Sequence, residues 1–238
     1  MVAEKAIGFV DDMIDRFLVL LFSLVFLIGC YFVADTTYVF YSASTGGVKG
    51  RQQHQDVQEV IKEMSDEVVA WLTIDGTKID YPVMQASDNS KYLNTDPYGD
   101  YSLAGSIFLD CRNAGDFSDY YSILYGHHMT NDYMFGALDH FEDQKYFDQH
   151  RVGSLTINGV KYKLNIFAFA VMQATEQEVF NPEYGNNVLN YLERRATIYY
   201  PPSGGNIVLL STCRDPGLTT RTLVFAEIIP EEVSANDT

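Results

Sequence analysis

The sequence is short of positive charge. Its 238 residues hold 16 Lys+Arg against 32 Asp+Glu, a formal net charge of −16. Affinity for nucleic acid or anionic lipid comes largely from Lys and Arg neutralising phosphates, so this composition argues against a nucleic-acid partner. Only 20% of the residues are charged while 47% are hydrophobic, which excludes a disordered chain and suits one or at most two domains with a real core. Neither CxxC nor HExxH occurs, and the adjacent His127 and His128 are poorly placed to share one ion, so no metal site is expected. GxxxxGK[ST] and GxGxxG are missing as well, and no cofactor is expected. Cysteines are few: Cys30, Cys111 and Cys213. Cys111 and Cys213 would pair readily in an oxidising compartment, so a disulfide competes with a nucleophile as the reading of each.

Long apolar runs are also scarce, with one exception. Phe17 to Ala34 is 18 consecutive residues without a charge. As a helix it would be about 27 Å long, enough to cross a hydrocarbon core. It is apolar on every face, unlike the single stripe of a core helix. It exceeds the ordinary h-region of a signal peptide of about 7 to 15 residues, and no A-x-A-like cleavage site follows it. An uncleaved, single-pass signal anchor is therefore expected. Lys5 and Arg16 precede it and Lys49 and Arg51 follow it, so flanking charge leaves the orientation open. The long segment after the span favours an internal N-terminus and an acidic domain on the outer face of the plasma membrane.

The expected organisation is a cytoplasmic N-terminus over 1–16, a transmembrane anchor over 17–34, a stalk over 35–51 with its turn at Gly46-Gly47, a folded acidic domain over 52–229 and an acidic tail over 230–238. From Gln52, the spacing of Val57, Val60, Ile61, Met64 and Val68 predicts an amphipathic helix. Beyond Trp71 the pattern changes to short β runs: 71–74 and 78–84 about Asp75-Gly76, then 106–109, 122–125, 155–157 and 161–172 about Asn158-Gly159, and finally 206–212 and 222–228. Helical patterns are fewer, a short one over 131–141 and a clearer one over 183–196, with Val188, Leu189, Leu192 and Ala196 on one side. Strands and helices do not alternate and no internal repeat occurs. The fold class is mainly β, a closed antiparallel architecture with helical insertions.

Two apolar strands flank Arg214 to Thr220, a hairpin that brings Cys213 beside Arg221. A guanidinium near a thiol favours thiolate or a developing oxyanion, although an arginine at a strand start is often only a solvated edge residue. His127 follows Gly126 at the end of an apolar strand, where a rigid scaffold hands a side chain to a loop. A cysteine and a histidine at separate strand ends can meet as a nucleophile with its acid and base. His54, His140 and His150 read as surface residues among acidic or amide neighbours, and His128 as lying beside the site and pointing elsewhere.

The set Leu210-Ser211-Thr212-Cys213, Arg221 eight residues later, and Tyr125-Gly126-His127 upstream resembles the sortases, membrane-anchored cysteine transpeptidases of Gram-positive bacteria. Trp71 to Asn89, Gly105 to Asp110 and Tyr125 to Leu138 look most like class B. The resemblance spans about Val57 to Ile228. It implies an eight-stranded sortase-type β-barrel with N-terminal helices and an inserted helix before the cysteine-bearing strand, supplied by 183–196. It further implies Cys213 as nucleophile, His127 as general acid/base and Arg221 as oxyanion or substrate stabiliser. Implied partners are secreted proteins with a C-terminal sorting signal and an amine acceptor, a cell-wall peptide precursor or a pilin lysine. A pilin-polymerising sortase and a membrane-tethered cysteine protease are the alternatives; the first usually shows a second hydrophobic span and a lid, for which no segment stands out.

Overall fold

The computed structural model describes residues 2–44, 57–62, 64–213 and 219–230. It divides into two compact units, Met1–Tyr41 and Ser42–Thr238.

The first unit is carried by α1, Val2–Ser44, a helix of 43 residues. At about 1.5 Å per residue it is about 65 Å long, twice the thickness of a hydrocarbon core. Its Phe, Leu, Val and Ile side chains are exposed from Phe9 to Val33, and none of the apolar window is buried within the protein. By length and composition this helix is long and apolar enough to cross a membrane. The helix is longer than the expected anchor: residues 35–44, read as part of a stalk because the segment ends in small, turn-forming residues, continue it. The Gly46-Gly47 turn lies outside the described residues.

The second unit opens with α2, Val57–Ile61, which is shorter than the predicted amphipathic helix. Val68 belongs instead to β1, Val68–Ile74, where its β-branched neighbour Val69 and the ladder to β2, Asp80–Met84, favour extended backbone. Val60 and Met64 nevertheless pack on Trp71 of β1. The Trp71 indole Nε1–H donates to Asp80 Oδ1 at 2.7 Å, locking that hairpin.

The remaining strands are β3 (Ile107–Leu109), β4 (Tyr121–Tyr125), β5 (Val152–Ile157), β6 (Val160–Gln173), β7 (Ile198–Tyr199), β8 (Asn206–Cys213) and β9 (Thr220–Pro230). They run β5-β1-β2-β3-β4-β8-β9-β6, and β6 pairs back onto β5, closing an eight-stranded barrel with β7 as a short extra strand on β6. Closure needs β6 to bend. A bulge between Ile166 and Ala168 supplies the bend, so the first half of β6 pairs with β5 and the second half with β7. Two pairings, β2–β3 and β4–β8, are parallel, where an antiparallel arrangement was expected. Parallel neighbours need long crossovers, and the 85–106 and 126–205 segments provide them.

β8 shows why its sequence reads as one apolar run. Val208 and Leu210 face the barrel interior with Leu72, Leu155 and Val224, while Ile207 and Leu209 face a second core beneath helices. That second core is covered by a helix, Gly185–Arg195, through the fully buried Val188 and Leu192. An isolated helix of this length is marginal in water, so burial of these side chains, worth about 1.5 to 3 kcal/mol each, holds it in place.

Candidate active site

The parallel β4–β8 pair places the site. Tyr125 is in register with Ser211, and the Gly126 N–H continues the ladder to the Ser211 carbonyl at 3.1 Å. Both chains therefore reach the same rim of the barrel two residues later, at His127 and at Cys213. On the other side of β8, Cys213 is in register with Arg221 of β9. Three adjacent strands thus deliver a histidine, a cysteine and an arginine to one rim. The 214–218 loop lies outside the described residues. His127 and Arg221 both line a cleft of about 340 Å³ at this rim, within the size range of ligand sites.

The imidazole of His127 is fixed by the main chain. Its Nε2 lies 2.7 Å from the Leu93 carbonyl oxygen. A carbonyl can only accept, so Nε2 carries the hydrogen, and Nδ1 is the nitrogen left to take up or release a proton. Leu93 ends a 3-10 turn, Lys91–Leu93, that is itself anchored: the Asp88 carboxylate caps the Ser90 and Lys91 N–H groups, and the Tyr92 hydroxyl donates to Glu67 Oε2 at 2.5 Å. Hydrogen bonds from Lys91 and Tyr92 hold the Glu67 carboxyl below its ordinary value. Gly105, at φ +59°, crosses this turn so closely that a Cβ there would lie 2.6 Å from the Leu93 oxygen.

Gly126 matters for a different reason. A Cβ on it would meet Ile107 Cδ1 at 2.4 Å and Phe135 Cδ2 at 2.7 Å, and both neighbours are buried. Gly126→Ala is expected to destabilise the domain by about 1 to 3 kcal/mol through overpacking and to displace the adjacent His127. A thermal melt beside a turnover assay checks this; unchanged melting and turnover would contradict it.

His128 points away from the cleft. Its Nε2 is 2.8 Å from Asp139 Oδ2, while Asp139 Oδ1 accepts from the buried Thr222 hydroxyl at 2.7 Å. This carboxylate ties the residue after His127 to the residue after Arg221. His140 is exposed and lies against Asp132, and His150 is half-buried, stacked on Tyr146. His54 lies outside the described residues. Cys111 is a free thiol, so a Cys111–Cys213 disulfide is not formed. Among the described residues no His/Cys/Asp/Glu cluster could hold a metal ion.

No role in the cleft was assigned from sequence to its other lining residues, although Tyr125, Ser211 and Thr212 lie in the motifs quoted above. Phe108 and Tyr125 form an aromatic floor with ring centroids 5.4 Å apart, and Ala174 and Phe180 form a wall. Ser211 and Thr212 are buried, line the cleft and have hydroxyls with no partner among the described residues. An unpaired buried hydroxyl costs about 1 to 3 kcal/mol, and as successive strand residues the two point to opposite faces of β8. Below the floor lies Asp110, fully buried, which receives the Tyr125 hydroxyl at 3.0 Å and Asn89 Nδ2 at 3.1 Å. Burial alone would raise the Asp110 carboxyl. Hydrogen bonds from Arg112, its charge and the Tyr125 hydroxyl outweigh burial and hold it below the usual carboxylate range. The Tyr125 phenol is pushed up, chiefly by burial and then by the Asp110 charge.

Comparison with known proteins agrees with this architecture. Residues 72–229 match the sortase domain family. Sortase B of Staphylococcus aureus is 30% identical over 189 residues, covering 75% of this chain and 77% of that protein. The crystal structure of a class B sortase from Streptococcus pyogenes, involved in pilus biogenesis, aligns with a TM-score of 0.66 at 36% identity, over 72% of this chain and 97% of that one. The crystal structure of S. aureus sortase B aligns with a TM-score of 0.65 at 28% identity, over 73% and 87%. The chain belongs to the sortase family, whose members are cysteine transpeptidases, and its likeness within that family is to class B.

Proposed function

We propose that Cys213, His127 and Arg221 carry the transpeptidation, with Cys213 as nucleophile, His127 as general acid/base and Arg221 as stabiliser of the oxyanion or substrate carbonyl. The observation that carries this reading is the strand register that brings the three residues to one cleft rim. The Cys213 sulfur attacks a backbone carbonyl in the sorting motif near the C-terminus of a secreted protein. The tetrahedral oxyanion collapses, the C–N bond breaks, and His127 gives its proton to the departing amine. An acceptor amine then attacks the thioester, His127 takes the amine proton, and the sulfur leaves as thiolate. A positioned donor such as Arg221 is worth about 10²- to 10³-fold in turnover.

The acceptor in this reading is an amine of the cell-wall peptide. A pilin lysine is the second reading, favoured by the 36% identity to a sortase involved in pilus biogenesis. The test offers the full chain, in detergent, a sorting-motif peptide library with either a cell-wall-type peptide amine or a pilin-type lysine peptide. An adduct with the first supports the main reading, an adduct with the second alone supports the pilin reading, and free acid products in the presence of both amines would mean a protease.

In this account residues 17–34 form the membrane-spanning part, the N-terminus is cytoplasmic and the catalytic domain stands on the outer face. Tethering confines the enzyme with a lipid-linked acceptor and with substrates still held by their own apolar tails, which raises effective concentration. A form lacking residues 1–41 is expected to cleave short peptides as fast as the full chain yet to anchor proteins poorly in cells; equal anchoring by both forms would contradict this role.

A further inference from the structure

One wall of the cleft is held from outside itself. Phe180 ends Gln177–Phe180, a helix of four residues that cannot hold its own position. Two side chains from the β3–β4 region tether it. The buried Tyr121 hydroxyl donates to the Val179 carbonyl at 2.8 Å, and Arg112 Nη2 donates to the Phe180 carbonyl at 2.9 Å. The Arg112 fork is in turn fixed by Asp110: Nε donates to Oδ1 at 2.8 Å and Nη2 to Oδ2 at 2.6 Å, and the Arg112 backbone N–H also reaches Oδ1 at 3.0 Å. The same carboxylate, through Oδ2, also receives the Tyr125 hydroxyl and Asn89 Nδ2. It is wholly buried and does not itself line the cleft.

We propose that Asp110 is a positioning residue for the sorting peptide: one carboxylate sets the spacing of the Phe180 wall, the Tyr125 floor and Asn89, and so the fit of the substrate in the cleft. It rests on the reading that this cleft is the peptide site. A bidentate arginine–carboxylate pair is short and directional, so it transmits position where a single ionic contact would not. Asp110 acts on substrate binding through the side chains it holds at the cleft, whereas the thiol and imidazole are placed by main-chain pairing of β4, β8 and β9.

The test measures full-chain enzyme in detergent with a sorting-motif peptide, comparing wild type, Asp110→Asn and Arg112→Lys. Asp110→Asn keeps the shape and loses the charge; Arg112→Lys keeps the charge, loses the fork and spares the buried floor. Both are expected to raise KM by about 10-fold or more with kcat within about twofold of wild type, the signature of lost binding that substrate and transition state share. The rate at which a small thiol reagent labels Cys213 should not change. An unaltered KM, or kcat and labelling falling together in step with the melting temperature, would overturn the proposal and leave Asp110 a structural residue. If wild type itself cleaves no such peptide, the peptide-site reading falls and takes this inference with it, a result distinguishable because it appears before any substitution.

Discussion

Cys213→Ala is expected to abolish both peptide cleavage and transfer to an amine while leaving the barrel intact. The residue sits at the last position of β8, with its backbone paired to Arg221, and the ladder is made by main-chain groups that alanine also supplies. Chemistry, by contrast, has no substitute: in the proposed mechanism the covalent route runs through the sulfur, and neither hydroxyl beside it, on Ser211 or Thr212, has a histidine-like base as partner among the described residues. The melting temperature of the variant should stay within a few degrees of wild type. Residual cleavage at even a percent of the wild-type rate would mean that another group attacks the carbonyl.

His127→Asn is expected to lower turnover by about 10²- to 10⁴-fold, the usual contribution of a positioned acid/base. Asparagine places its amide nitrogen where the imidazole has Nδ1, short of the Leu93 carbonyl, so the variant removes the anchoring hydrogen bond together with proton transfer. The loss should fall on kcat, with KM little altered, because the cleft walls at Phe180 and Tyr125 are held by Asp110 and Arg112, independently of the imidazole. A variant with near-normal kcat would show that His127 only closes the rim.

Much of this was legible in the sequence because it rests on local pattern. The apolar run of β8, a turn and the apolar run of β9 announce a hairpin, and a hairpin alone puts Cys213 beside Arg221. His127 stood out because it follows a glycine at the end of an apolar strand. The parallel pairing of β4 with β8 was not legible: it joins segments about 80 residues apart, and no local spacing encodes it. Asp110 and Arg112 were hidden for a related reason. An Asp and an Arg after a three-residue strand read as an ordinary turn, and only the fold shows that Arg112 reaches Phe180, 68 residues onward. Periodicity also overextended the helix after Gln52, since Val68 fits both a helical stripe and the first position of β1, and the ladder to Met84 decides for the strand. The helix α1 ran past its apolar core because residues 35–44 contain neither proline nor glycine to stop it.

The most direct measurement is the intact mass of the full chain after mixing with a sorting-motif peptide in the absence of any acceptor amine. The account predicts a mass increase equal to the acyl part of the peptide, mapped to Cys213, stable until an amine is added and then lost as the amide product appears. Amide product formed with no adduct on Cys213, or an adduct mapped to Cys111, would contradict it.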